Sequence, residues 1–190
     1  MDEQKVKPSL VKADLSGKTV MITGANSGIG FEAAKHFATM DPDRLVVVCR
    51  SVEKAKKSIK LIEAETGYKN GEPMALDLGD FSSISEFATQ AQNTLDRLDI
   101  LVENAAIGTS TYAVTNDGWE TMLQVNSLGP VMHIVLLLPI ILQTAKRHSV
   151  IPRVIVVSSR GIFYTNIRSE AVASPNILKP LSSKEYCGPE

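Results

Sequence analysis

The sequence predicts an α/β protein with a doubly wound parallel sheet, and three observations support this fold class. Apolar strand-like segments alternate with helix-like segments from residue 19 to about residue 158, and such alternation is typical of right-handed crossovers between parallel strands. The first strand runs directly into a glycine-rich turn that opens a helix, at 23–30. A length of 190 residues suits one domain with a single substantial core.

The predicted elements follow one another with short connections. Five continuous apolar runs, as expected for buried parallel strands, are predicted to form the sheet: 20–22, 44–49, 73–78, 99–102 and 153–158. Four segments with apolar residues at three- and four-residue spacing are predicted to be the connecting helices: 29–40, 51–67, 83–95 and about 117–147. Together they account for most of the chain before residue 160.

Boundary signals place the ends of these helices. Ser51 is a predicted N-cap and Gly67 a predicted C-terminal stop for the second helix. Ser83-x-x-Glu86 has the pattern of a capping box at the start of the third helix. We expect the long fourth helix to bend at Pro130 and Pro139, because proline removes a helix hydrogen bond.

Composition and charge exclude several classes of function. The net charge is −1, which leaves no basic field for nucleic acid or acidic membranes. Cys49 and Cys187 lie far apart without metal-ligand spacing, so we expect no metal site and a reduced, cytoplasmic setting. The start of the chain is polar and shows no secretory signal, and the apolar stretch 131–142 is too short to span a bilayer.

The glycine-rich turn at 23–30 predicts a dinucleotide phosphate site. Gly24 would allow a tight exit turn, Gly28 a close approach of backbone to a diphosphate, and Gly30 close packing of helix on strand. Unpaired amides at the start of the helix attract phosphate. The predicted binding turn also includes Asn26, Ser27 and Ile29. A purely structural turn is the alternative, because the spacing G-x-x-x-G-x-G is neither the common dinucleotide fingerprint nor a P-loop.

The pattern Thr-Gly-x-x-x-Gly-Ile-Gly at 23–30 resembles the short-chain dehydrogenase/reductase family, and the resemblance covers about 15–159. It implies a Rossmann-like fold, a nicotinamide cofactor and a small carbonyl or alcohol substrate. Cys49-Arg50, 116–119 and 124–126 are similar to the retinol dehydrogenase-like and related fungal branches. The resemblance also implies that the sixth and seventh strands and a substrate lid are missing, as in a chain truncated on its C-terminal side.

The ends of the second and third strands are predicted to contact the cofactor. Arg50 follows the second strand, where a guanidinium suits the 2′-phosphate of NADP(H) better than the ribose hydroxyls of NAD(H). Its alternative is a solvated surface cation. Asp77 and Leu78 end the third strand, and the resemblance implies contact with the adenine ring. The alternative for Asp77 is a turn or helix-capping residue ahead of Gly79.

The end of the fourth strand and the following helix add three further candidates, Asn104, Ala105 and Asn126. Residues 103–106, Glu-Asn-Ala-Ala, resemble the family's Asn-Asn-Ala-Gly, with Asn104 and Ala105 at matching positions. The family's role for Asn126, which follows Gln-Val, is to support a proton-relay water. A satisfied core amide is the alternative for Asn126.

Asn126 is thus one candidate catalytic residue, and the other two, Ser159 and Tyr186, follow the fifth strand. Ser159 matches the family's catalytic serine, which would hydrogen-bond the substrate oxygen, and an ordinary turn serine is its alternative. The family's tyrosine carries a lysine four residues later. Tyr186 is the better positional match but is followed at that spacing by Glu190. Tyr164 is followed by Arg168 and lies too close to Ser159.

The sequence therefore predicts a single NAD(P)-binding domain over 1–190, with a well-matched core at 15–159 and an irregular segment at 160–190. The leading hypothesis is an NADP(H)-dependent oxidoreductase. A non-catalytic nucleotide-binding or truncated protein is the second hypothesis, and a structural partner without cofactor is the third. Uncovered apolar surface would favour association, so a homo-oligomer is possible.

Overall fold

A computed structural model describes residues 12–164 and 166–187. One sheet holds five parallel strands: β1 (Thr19–Thr23), β2 (Arg44–Cys49), β3 (Gly71–Ala75), β4 (Ile100–Glu103) and β5 (Arg153–Val156). Their order is β3-β2-β1-β4-β5. The chain thus moves outward from β1 in one direction and then, from β4, in the other. This is a doubly wound sheet, and the predicted fold class is confirmed.

The helices between the strands also follow the sequence closely. They are α1 (Gly28–Ala38), α2 (Val52–Thr66), α3 (Phe81–Thr94), α4 (Thr121–Leu123), a π-helical turn (Gln124–Leu128) and α5 (Gly129–His148). The Ser51 hydroxyl caps α2 by accepting from the Lys54 amide, and Gly67 ends α2 with φ +76°. Both boundary predictions for α2 are confirmed.

Several predicted boundaries are wrong: the fourth helix begins at Thr121 rather than about residue 117, and the fifth strand ends at Val156 rather than residue 158. The third helix begins at Phe81, because the Asp80 carboxylate accepts from the amides of Ser82 and Ser83 and caps the helix before the predicted capping box. The third strand spans Gly71–Ala75 instead of 73–78. Pro73 is tolerated inside it because β3 is an edge strand, where a missing amide donor breaks no ladder on the open side.

The long apolar helix stays helical through both prolines. Pro130 sits in the first turn of α5, directly after the π-helical turn, and Pro139 lies inside α5. By length and composition, the helical run from Thr121 to His148 could cross a membrane, because an 18-residue window within it has a mean hydropathy of 2.0. Its inner face, which includes Leu137, packs into the core beneath the sheet, as a helix of an α/β domain does.

Two apolar clusters, one on each face of the sheet, form the core. On one face α3 and α5 pack on alternate residues of β1 and β2, and on the other α1 and α2 pack on the remaining ones. After β5 the described chain forms four single helical turns: a 3₁₀ turn (Arg160–Phe163), α6 (Ser169–Val172), α7 (Leu178–Leu181) and α8 (Lys184–Cys187). β5 itself is exposed along its whole length.

Candidate functional site

A cavity of about 620 Å³ opens where β1, β2 and β4 end. β1 lies between β2 and β4, which makes this the switch point at which open α/β sheets bind ligands. Most of the predicted cofactor residues line it: Gly24, Asn26, Ser27, Arg50, Asp77, Leu78, Asn104 and Ala105. The other three, Gly28, Ile29 and Gly30, lie in the first turn of α1, outside the lining.

The glycine turn packs tightly against the end of β4. Gly24 has φ +67°, and a Cβ there would lie 2.7 Å from the Ala105 Cα. A Cβ on Gly30 would overlap the Asn104 side-chain amide. Gly28 has φ +58° with open space beside it. The close approach that these glycines permit is therefore mainly between the turn and the Asn104–Ala105 segment, while the space at Gly28 is free for a ligand.

The N-terminus of α1 differs from that of α2. Ser27 precedes α1 in an extended conformation, and within the described residues its hydroxyl caps no amide of the helix. The first turn of α1 also carries no acidic residue, whereas α2 has the Ser51 cap and Glu53. The first amides of α1 are therefore available to an anion, which the helix dipole also favours.

Two cations stand at the end of β2. Arg50 is exposed and lines the cavity, and Lys54, in the first turn of α2, lines the same wall. The lysine-rich pattern of α2 predicts only a solvated face for Lys54. The sequence signal that could have separated Lys54 from the other lysines of α2 is its position four residues after Arg50. Cys49, the last residue of β2, directly precedes Arg50, and burial raises the pKa of its thiol.

Asp77 lines the cavity and also makes the hydrogen bonds of a turn residue. Its carboxylate accepts from the Gly79 amide at 2.9 Å. Its own amide donates to the Ser83 hydroxyl at 3.0 Å. Leu78 beside it is buried. These bonds fix the loop between β3 and α3 as one wall of the cavity.

Thr23, at the end of β1, organises the end of β4. Its hydroxyl oxygen accepts from the amides of Asn104 at 3.0 Å and Ala105 at 3.1 Å. The Asn104 side chain donates back to the Thr23 carbonyl at 3.1 Å. The sequence motifs do not select Thr23 as a site residue. The signal that could have found it is a hydroxyl at the end of a buried strand, directly before the glycine turn.

The loop before α5 forms the outer wall, and a buried glutamine holds it. Thr115 lines the cavity, and its hydroxyl donates to the Gln124 side-chain oxygen. The Gln124 side-chain nitrogen donates to Asp117 at 2.6 Å, and Asp117 accepts from the Phe81 amide at 2.9 Å. The two sequence motifs at 116–119 and 124–126 are thereby joined into one wall.

Asn126 lies in the π-helical turn and is exposed, which excludes the alternative of a core amide. Its side-chain oxygen accepts from the Ile107 amide at 2.8 Å, and its nitrogen donates to the Ile107 carbonyl at 2.9 Å. Ile107 lines the cavity, although Asn126 does not. Asn126 therefore holds the backbone of Ile107 in the cavity wall without lining the cavity itself.

The structure does not bring Ser159 and Tyr186 to the cavity. Ser159 is exposed, and its hydroxyl accepts from the Gly161 amide at 3.1 Å and caps the 3₁₀ turn, which is the alternative role of a turn serine. The Tyr186 hydroxyl accepts from the Arg168 amide at 3.3 Å, and the Arg168 guanidinium lies 4.9 Å from the Tyr186 ring centre.

The reason lies in how the chain after β5 is anchored. The Ser182 hydroxyl accepts from the Glu120 amide at 2.7 Å, and the Ser182 carbonyl accepts from the Tyr112 hydroxyl at 3.0 Å. The described C-terminal turns are thus tied to the 112–120 loop. No helix in the described chain carries a tyrosine from the end of β5 towards the cavity.

Comparison with known proteins gives consistent relationships. A family model described as short chain dehydrogenase matches residues 18–171. The chain is 41% identical to a WW domain-containing oxidoreductase of Gallus gallus, over 91% of this chain and 40% of that protein. It is 31% identical to the short chain dehydrogenase sor7 of Hypocrea jecorina, over 94% of this chain and 49% of that protein. The chain thus spans less than half the length of these relatives.

Solved structures show the same likeness. The Pseudomonas aeruginosa RhlG/NADP active-site complex matches with a TM-score of 0.64 and 27% identity. The match covers 77% of this chain and 54% of that one.

Proposed function

The chain belongs to the short-chain dehydrogenase family, and on that premise we propose that it is an NADP(H)-dependent oxidoreductase acting on a small carbonyl compound or alcohol. The observation that carries the proposal is the cavity at the switch point, which combines the glycine turn, the uncapped start of α1 and Arg50. Its volume of about 620 Å³ lies in the range of small-molecule sites.

The residues of the cavity fit the groups of a dinucleotide. The amides at the start of α1 and the open space at Gly28 would hold the diphosphate. Arg50 and Lys54 would hold a 2′-phosphate, because a guanidinium offers paired donors and the ammonium adds a second charge. NAD(H), which lacks that phosphate, would gain little from either cation. This difference supports NADP(H) as the preferred cofactor.

The bound nicotinamide would supply the hydride chemistry, and the protein would orient the reactants. The family resemblance assigns Ser159 to the substrate oxygen, Tyr186 to the proton and Asn126 to the relay. In the described structure Asn126 acts through Ile107, by fixing the cavity wall. The roles of Ser159 and Tyr186 need the chain after β5 to take a different arrangement.

The test is calorimetric titration of the purified chain with NADPH and NADH. Arg50→Asp should weaken NADPH binding by about 1.5 to 3 kcal/mol, through the loss of a charge-assisted contact, and leave NADH binding nearly unchanged. Lys57→Asp makes the same charge change on α2 outside the cavity lining and should have little effect. Equal weakening of both cofactors would contradict the NADP(H) preference. A folded wild-type chain that binds neither at millimolar concentration would overturn the function.

A non-catalytic nucleotide-binding protein is the second candidate. The positions of Ser159 and Tyr186 away from the cavity favour it, as does the lack of a lysine four residues after Tyr164 or Tyr186. The cation that contacts Tyr186 is Arg168, and it lies over the ring. We therefore expect this 190-residue chain to bind NADPH but to reduce carbonyls far more slowly than about 1 per second.

NADPH absorbance with a panel of aldehydes and ketones measures that rate. Turnover at about 1 per second or faster, abolished by Ser159→Ala, would contradict the second candidate and show that another group supplies the missing charge. Cytoplasmic residence and self-association of the chain remain part of the proposal. The buried free thiol of Cys49 is compatible with a reducing compartment.

A further inference from the structure

A buried acid–imidazole pair lies beneath the cavity. Glu103 is the last residue of β4, His133 lies on α5, and both are buried. The Glu103 Oε1 and His133 Nδ1 atoms are 2.5 Å apart. The Phe87 ring meets the imidazole edge to face, with the ring centres 4.9 Å apart. The cofactor chemistry described above uses neither residue.

The hydrogen-bond pattern assigns the protons of this pair. The Thr23 hydroxyl oxygen already accepts from two amides, so its proton is directed to Glu103 Oε2 at 3.0 Å, which is nearer than its other acceptor, the Val102 carbonyl at 3.4 Å. His133 Nε2 is buried and has no hydrogen-bond partner within the described part of the chain. A lone pair at that atom costs less than an unpaired N–H, which places the proton on Nδ1, donating to Oε1. Glu103 then accepts at both oxygens, from the Thr23 hydroxyl and from His133 Nδ1.

These bonds connect the buried pair to the glycine turn. Glu103 orients the Thr23 hydroxyl, and Thr23 holds the amides of Asn104 and Ala105. Ala105 in turn packs against Gly24, where a Cβ would leave only 2.7 Å to the Ala105 Cα. A shift of Glu103 would therefore move the segment against which the turn is packed.

We propose that His133 is a positioning residue of the cofactor site, acting through Glu103 and Thr23 on the Asn104–Ala105 segment. The link to cofactor rests on the proposed function. A buried carboxylate is stable only when donors satisfy it, and the two donors here are Thr23 and His133. His133 thus allows a glutamate to stand where the family pattern has asparagine.

Amide hydrogen exchange of Asn104 and Ala105 tests the proposal. His133→Leu removes the donor and should speed exchange at both amides by roughly ten-fold or more. Leu137→Ala, one turn further along the same buried face of α5, is the matched control for lost packing. His133→Asn keeps a donor near the Nδ1 position and should restore most of the protection. Equal acceleration in Leu137→Ala, or no rescue by His133→Asn, would overturn the proposal.

Two further measurements test the proposal even if His133→Leu does not fold. If His133→Leu unfolds, adding Glu103→Asn removes the unpaired carboxylate and should restore folding; a double variant no more stable than the single overturns the coupling. In the wild-type chain, nitrogen-15 NMR should show a proton on His133 Nδ1, with a far-downfield shift, and none on Nε2. An Nε2–H tautomer would overturn the proposal without any substitution.

Cofactor titration separates this inference from the proposed function. His133→Leu should weaken NADPH and NADH by the same factor, roughly ten-fold, because the glycine turn is common to both. Selective loss of NADPH would contradict a positioning role. If the wild-type chain binds neither cofactor, the proposed function fails, while hydrogen exchange and the tautomer still decide whether His133 holds the Asn104–Ala105 segment.

Discussion

Two strands of the same sheet, β2 and β5, have nearly the same composition and opposite environments. β2 reads Arg-Leu-Val-Val-Val-Cys, and β5 with the next residue reads Arg-Val-Ile-Val-Val. Val46 in β2 is fully buried, whereas Val156 in β5 is 58% exposed. β2 lies between β1 and β3 with helices on both faces, while β5 pairs with β4 at the edge. A β-branched apolar run thus specifies a strand, and its neighbours decide whether the strand is buried.

The same contrast divides the candidate site. The residues predicted to hold the cofactor follow β1 to β4, the part of the sheet on which the helices of the two core clusters pack, and most of them meet in one cavity. Two of the three predicted catalytic residues, Ser159 and Tyr186, follow β5, and neither reaches that cavity. The predicted cofactor residues therefore come together where helices cover the sheet. In the described chain, Ser159 and Tyr186, which follow the exposed strand β5, do not come together with them.

Introducing an aspartate into each strand should produce the largest difference in stability between variants of β2 and β5. Val46→Asp places a carboxylate in the fully buried core and should lower the free energy of unfolding by about 4 kcal/mol or more, enough to prevent folding. Val156→Asp places the same charge on an exposed strand and should cost less than about 1 kcal/mol. Urea denaturation followed by circular dichroism compares the two.

Val46→Ala and Val156→Ala provide the uncharged controls, with expected losses of about 2 and below about 0.5 kcal/mol. A Val156→Asp variant as unstable as Val46→Asp would mean that β5 is buried in solution, by self-association or by another arrangement of the residues after it.

The elements around β2 could be predicted from the sequence because local signals and packing agree there. Ser51 and Gly67 are strong end signals for α2, and the apolar runs of β1 and β2 match their full burial. The sequence pattern places the start of α3 too late, because a serine–glutamate pair has the form of a cap while Asp80, just before it, forms the bonds. Several capping residues in one short segment cannot be ranked without their geometry.

Parts of the site could not be predicted because they depend on residues far apart in the chain. Glu103 is visible in the sequence as a departure from the family pattern, but its partner His133 lies on another element, 30 positions away. Thr23 gains its role from amides about 80 positions away. Lys54 belongs to a run of similar lysines, and its place in the first turn of α2, directly after β2, brings it to the cavity wall.

Substitution of two glycines with positive φ should give a difference in stability of intermediate size. Gly17 (φ +73°) has open space where a Cβ would lie, whereas a Cβ on Gly24 (φ +67°) would meet Ala105 at 2.7 Å. Gly17→Ala should cost about 1 kcal/mol of stability through backbone conformation alone, and Gly24→Ala roughly 3 kcal/mol, since the clash adds to that cost. Thermal denaturation measures both. Similar losses would show that the turn and the β4 end can separate easily, which would weaken the argument for a built cofactor site.

The smallest effects should come from the two serines that precede α1 and α2. The Ser51 hydroxyl accepts from the Lys54 amide, so Ser51→Ala should lower stability by about 1 kcal/mol. Ser27 makes no such bond within the described chain, so Ser27→Ala should leave stability nearly unchanged and instead weaken NADPH binding by about 1 kcal/mol, if its hydroxyl or the amides it precedes meet the diphosphate. Denaturation and calorimetric titration of the same two variants measure both quantities. An exchange of the two phenotypes, with Ser27→Ala unstable and Ser51→Ala deficient in cofactor binding, would place the anion at α2 and contradict the assignment of the site to α1.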